Sequence, residues 1–189
     1  MPGFTYRRFD LALTILLTFV GTAHAGDISL LSDMGTLSTD FKNPAIPSTE
    51  ALIIQSGNAN IATIDQQSAT LRGGNYSEIN QYGASNQSSV VQTGDSNRVR
   101  IDQTGSSNLA YATQSGSGNS TDLAQTGDAN LFQASQIGDN NNIVANQNGV
   151  PTTTLVESGD RNSITVNLGP TQPIVSISII GNGMSVTAH

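Results

Sequence analysis

The sequence contains no cysteine and no tryptophan, and its 189 residues include only two histidines, His24 and His189, and one lysine, Lys42. A Cys or His metal centre is therefore excluded, and so is stabilisation by disulfides. A Ser-His-Asp arrangement would need His189 as its base, and no Gly-x-x-x-x-Gly-Lys loop exists to hold a nucleotide. Charge is scarce too: 7 basic and 14 acidic side chains give a net charge of -7, and charged residues make up 11%, against roughly 25% in an ordinary domain. That balance is no footprint for nucleic acid. No enzyme, cofactor or metal site is expected.

What is abundant is amide and glycine, with 18 Asn, 13 Gln and 19 Gly. Aromatics are only 5%, so the chain is short of large apolar groups for a conventional core, yet too uncharged for a disordered acidic tail. Something besides hydrophobic burial must order it.

Residues 1–25 have the form of an export signal. Arg7 and Arg8 precede the apolar run Leu11 to Val20, and Ala23-His24-Ala25 supplies small residues for cleavage between Ala25 and Gly26. The run of about 10 residues is too short for a bilayer that needs roughly 20. A buried N-terminal helix is the competing reading. Cleavage would leave an exported chain of charge -8, since Arg7, Arg8 and Asp10 are lost.

A period of eleven runs through the rest. Gln recurs at Gln81, Gln92, Gln103, Gln114, Gln125, Gln136 and Gln147, and Gly follows two residues later at Gly83, Gly94, Gly105, Gly116, Gly127, Gly138 and Gly149. Asn stands five after the first six, at Asn86, Asn97, Asn108, Asn119, Asn130 and Asn141. An earlier copy has Gln55, Gly57, Asn60 and Gln66, and a four-residue break near Gln67 to Thr70 precedes Asn75. One residue is lost around Val150-Pro151, after which Glu157, Leu168 and Ile179 occupy the Gln place. The expected layout is a signal at 1–25, a non-repeat segment at 26–50, repeats at 51–149 and degenerate repeats at 150–189.

Within a unit, Asn, the residues two and four beyond it and the next Gln share one parity, so an extended chain points them to one face. That face reads Asn97, Val99, Ile101, Gln103, then Asn108, Ala110, Ala112, Gln114, then Asn119, Thr121, Leu123, Gln125. The opposite face is mixed and mostly polar, as in Arg98, Arg100 and Asp102. Period two predicts strands. A helical array of eleven-residue units would have to absorb a Gly in each, at roughly 1 kcal/mol apiece. The Gly-containing stretches between Gln and Asn are turn chemistry.

The predicted fold is all-β: a solenoid or cross-β stack of strand-turn-strand coils, two eleven-residue half-repeats making a coil of 22, with the character of an amyloid former. Stacked coils would set identical amides about 4.7 to 4.8 Å apart, in hydrogen-bonded ladders, which satisfies buried polar groups that would otherwise be unpaired. The end strands would expose unpaired backbone, and the apolar run Val175 to Ile180 gives one end an adhesive edge.

The pattern Gln-x-Gly-x-x-Asn-x-Ala-x-x-x-Gln, complete at residues 55–66 and 103–114, resembles the repeat of curlin, the subunit family of bacterial curli amyloid fibres. The stretch from Ser96 to Tyr111 is most similar to the family's minor, nucleating subunit. The resemblance implies an extracellular fibre at the bacterial surface serving adhesion and biofilm, and export through an outer-membrane curli pore with its accessory proteins. It implies assembly with the major subunit and with itself, and no catalysis. By position it makes the seventeen Gln and Asn residues from Gln55 to Gln147 in the two rows above the stacking residues. The segment 26–50 occupies the place of the family's secretion-targeting stretch, and a disordered leader with no recognition role is the equal alternative for Gly26 to Glu50. Residues 151–189 depart from the minor subunit's basic final repeat, holding Arg161 alone among basic residues and three prolines.

Other readings compete at particular residues. Turns such as Gly94-Asp95, Gly127-Asp128 and Gly138-Asp139 could suggest calcium, but the known β-roll repeat is nine residues long; turn Asp reads better as a gatekeeper against premature pairing. Glu78, Asp102 and Asp122 could suggest paired glycosidase carboxylates, yet each falls in an outward slot. The alternatives to a nucleating subunit are the major curlin subunit and a soluble solenoid binding ice or polysaccharide. An ice binder should show a Thr rank where Arg100, Tyr111, Asp122, Gln133 and Val144 stand.

Overall fold

The computed structural model describes residues 14–19, 49–68, 73–149, 151–171 and 174–189. The expected cleavage site at Ala25 and Gly26, most of the 26–50 segment and part of the break before Asn75 lie outside the described residues. The regular elements are all strands: β1 (Thr14–Phe19), β2 (Glu50–Asn58), β3 (Ile61–Gln67), β4 (Tyr76–Ala84), β5 (Gln87–Asp95), β6 (Arg98–Ser106), β7 (Leu109–Ser117), β8 (Ser120–Thr126), β9 (Leu131–Ile137), β10 (Asn142–Asn148), β11 (Thr152–Ser158), β12 (Ser163–Leu168), β13 (Ile174–Ile180) and β14 (Ser185–Ala188).

From β2 onward, successive strands alternate between two parallel sheets. The first has the order β1-β2-β4-β6-β8-β10-β12-β14 and the second β3-β5-β7-β9-β11-β13. The chain is a β-solenoid of about six coils, with 22 residues between Gln81 and its partner Gln103, and between Gln92 and Gln114. The break stretches one step to 26 residues, Gln55 facing Gln81, and the lost residue shortens another to 21, Gln136 facing Glu157. Both irregularities are absorbed outside the strands, because a slip of one residue within a strand would turn its apolar set to solvent. Inside the expected leader, β1 pairs with β2 and sets Phe19 opposite Gln55.

The interior is a thin file of side chains. Ile79, Ile101, Leu123, Ile143 and Ile164 from the first sheet meet Val90, Ala112, Ala134, Leu155 and Ile179 from the second in one buried cluster. Phe132 is the one aromatic in it.

Two details refine the turn chemistry. β4, β5, β6 and β7 run to nine residues, because the glycine of each unit stays in the parallel ladder, Gly83 opposite Gly105 and Gly94 opposite Gly116. The sharp left-handed residue comes two positions later and is usually not glycine: Ala59, Ser85, Ser96, Ser107, Ala129, Asn140 and Arg161 have φ between 55° and 59°. The repeat glycines are nonetheless required. At Gly105, φ is 119°, and an added Cβ would stand 2.1 Å from the carbonyl oxygen of Gly127 in the next coil.

Candidate functional site

Each ladder glutamine ends an inward-facing strand row, and stacking brings its amide against the next coil's. In the first sheet Gln55 Nε2 donates to Gln81 Oε1 at 2.6 Å, Gln81 to Gln103 at 2.8 Å, Gln103 to Gln125 at 2.7 Å and Gln125 to Gln147 at 2.7 Å. In the second sheet Gln66 donates to Gln92 at 2.6 Å, Gln92 to Gln114 at 2.8 Å and Gln114 to Gln136 at 2.7 Å, and Gln136 then meets Glu157 at 2.8 Å. From Gln81 to Gln147 these side chains are buried.

From Gln66 onward the second N–H of the amide crosses the coil. Gln92 Nε2 reaches the carbonyl of Tyr76, Gln103 that of Gln87, Gln114 that of Arg98 and Gln125 that of Leu109. A glutamine therefore joins coils along the stack and the two sheets within a coil. Where an inner position holds a hydroxyl, it joins as well: Ser77 donates to Gln92 Oε1 at 2.7 Å, Ser88 to Gln103 Oε1 at 2.8 Å and Thr121 to Gln136 Oε1 at 3.0 Å. The period gave no signal for these hydroxyls, because nothing in a periodic pattern says which two sheets face each other.

Asparagine does the same work at the turns. Asn97 Oδ1 accepts the backbone N–H and the side-chain amide of Asn119, while Asn97 Nδ2 donates to the carbonyl of Gly116 at 2.8 Å. Asn60, Asn75, Asn86, Asn108, Asn119 and Asn141 likewise donate to a glycine carbonyl of the following coil. Asn130 differs. The residue whose N–H would reach its Oδ1 is Pro151, which has none, and Asn130 Oδ1 is buried without a partner among the described residues.

The turn carboxylates also have a hydrogen-bonding role that sequence reasoning missed. Asp128 Oδ1 accepts the N–H of Ser106, Asp139 Oδ1 that of Ser117 and Asp160 Oδ1 that of Asp139, at 2.7 to 2.9 Å.

The remaining candidates lie on the outer face of the first sheet. Arg100 pairs with Asp102 at 2.6 Å and lies 3.9 Å from Glu78. Asn80 donates to Glu78 and to Asp102, and the Tyr76 hydroxyl donates to Glu78. The Asn80 hydrogen bond is the main cause holding the Glu78 carboxyl below its ordinary range, with burial opposing it and Tyr76, Arg100 and Arg98 assisting. Asp122 faces Arg100 across the β6–β8 pair. Glu78 and Asp102 are thus tied into a cross-strand network on the outer face. No group of three or more His, Asp or Glu residues among the described residues could hold a metal ion.

Among the described residues the one fully buried inward carboxylate is Glu157. Burial pushes it up to about 7 against the lowering effect of the Gln136 hydrogen bond, and its Oε1 has no partner among the described residues. Beyond it stands Ile179, and beyond Gln147 stands Leu168. The second sheet ends in β3 and β13, and the first ends in β14. Ile174 and Ile180 on β13 are 74% and 80% exposed.

Amide rows closed along and across a thin parallel stack define a structural β-solenoid. The family model of the curlin associated repeat matches residues 74–105 and 94–127, so the stretch from β4 to β8 is similar to that repeat. No curated protein and no solved structure matches the chain.

Proposed function

We propose that this chain is an exported subunit of curli-type amyloid fibres at the bacterial surface, and that it acts as the minor subunit that starts polymerisation of the major one. Residues 1–25 would direct export and be removed at Ala25–Gly26, and residues 26–50 would serve passage through the outer-membrane curli pore and its accessory proteins. The fibre would serve adhesion and the biofilm matrix.

The observation that carries this reading is the combination of ordered amide rows with end strands whose backbone has no strand beyond it among the described residues, β3 at one end and β13 and β14 at the other. Such an edge offers N–H and C=O groups to a disordered subunit and removes the slow nucleation step. The outward rows favour no ice or polysaccharide surface: one reads Glu78, Arg100, Asp122, Val144 and Thr165, the other Ser89, Tyr111, Gln133 and Thr154.

The test is a trace of the exported chain added to monomeric major curlin. Loss of the lag supports the nucleating role. An unchanged lag with co-assembly into the fibre assigns the chain to the bulk subunit instead.

A further inference from the structure

The two ends of the solenoid are chemically unequal. Every ladder bond of the second sheet runs one way, from Gln66 Nε2 to Gln92 Oε1 and onward to Glu157. Donors face the C-terminal coil and acceptors the N-terminal coil. The row therefore begins in an acceptor: Gln66 Oε1 is buried and has no partner among the described residues, on the strand that ends its sheet. At the other end the row runs out of donors, passing through Glu157 to Ile179. In the first sheet Gln147 keeps its cross-coil bond to the Leu131 carbonyl and gives its other N–H to Thr153 Oγ1, because Leu168 follows it.

Two copies stacked head to tail in repeat register would set β13 on β3. Ile177 would match Ile64, but Ile179 would lie on Gln66 and leave its oxygen against hydrocarbon. A strand with glutamine at that place would supply the missing N–H.

We infer that the chain is a one-ended template: β3 with Gln66 receives the last coil of a different curlin-type chain that carries glutamine at the ladder position, and β13 does not pass the ladder on. The inference deepens the nucleating reading and rests on it. The incoming chain docks by its C-terminal coil and presents its own N-terminal edge to the next, so the fibre extends on one side and this chain stays at its base. Removal of the leader with β1 would free β2 beside β3, placing Gln55 and Gln66 together as the two ladder positions of the receiving coil.

The experiment uses the exported chain, gold-labelled through a tag after His189, to seed a polypeptide that repeats residues 98–141 and so carries glutamine at every ladder position. The expected micrographs show each gold particle at a filament end. About tenfold more Gln66→Leu seed should be needed to remove the lag, while Ile180→Ser, at the opposite edge, seeds like the parent. Filaments leaving both sides of the gold, or Gln66→Leu seeding like the parent, would overturn the inference while leaving templating intact. Failure of the parent chain to shorten the lag would overturn both. If Gln66→Leu loses its β-type circular dichroism, the gold position on the parent decides.

Discussion

Gln136 donates its amide to Oε2 of Glu157 at 2.8 Å, and at that contact the glutamine row of the second sheet becomes a buried acid with one oxygen unpartnered. A carboxylate cannot repeat what glutamine does there, since it has no N–H for the Asn142 carbonyl, the counterpart of the Ser120 carbonyl that Gln136 uses. Protonation restores one donor.

A pH dependence follows. The Glu157 carboxyl is raised from 4.5 unfolded to about 7 folded, so the folded chain holds the extra proton between those values. Its contribution to stability is full below about pH 4.5, falls through the window and is gone above about pH 7, a change on the order of 3 kcal/mol. Urea unfolding of freshly diluted monomer at pH 5 and pH 8 should show it. Glu157→Gln should unfold at higher urea at pH 8 and lose this part of the pH difference.

Gly105→Ala should destabilise the middle of the stack far more than a turn substitution ordinarily does, because its Cβ meets backbone oxygen rather than a movable side chain. Ala129→Gly is the contrast: it relieves a left-handed alanine with φ of 56°, worth up to about 1 kcal/mol. Hydrogen exchange of the β6 and β8 amides should lose protection in the first variant and keep it in the second.

Pro151→Asn should stabilise the chain by about 1 kcal/mol, since the new N–H can reach Asn130 Oδ1 while the Leu131 N–H keeps the carbonyl of residue 151. A urea midpoint at or below that of the parent would count against this account of the orphaned oxygen.

Replacing Gln103 and Gln114 together by Ala should slow assembly. Each change leaves amides above and below without a partner, at about 1 to 3 kcal/mol per buried group. Turbidity kinetics at fixed monomer concentration provide the check; unchanged rates would mean that the ladders form after the slow step.

The eleven-residue period was sufficient for the register of the strand pairs from β4 to β10, because Gln, Gly and Asn recur together and a slip would disturb all three. It carried past the prolines as well: Gln147 faces Leu168 and Glu157 faces Ile179. Ser77, Ser88 and Thr121 could not be read this way, since their partners lie across the coil. Nor could the left-handed Ser96 or Arg161, because neither residue type favours that conformation by itself. Pro151 in the place of an asparagine became legible only once Asn130 was seen to lack a donor.

The most direct measurement is solid-state NMR of fibres grown from an equal mixture of chains labelled with ¹⁵N alone and with ¹³C alone. A solenoid stacks Gln103 on Gln81 and Gln125 of the same chain, so contacts between the two label sets should be weak and confined to the end coils, while uniformly labelled fibres show strong contacts between those residues. Strong contacts between Gln103 of one chain and Gln103 of the next would mean that copies stack flat and in register, and would contradict the solenoid and its ladders.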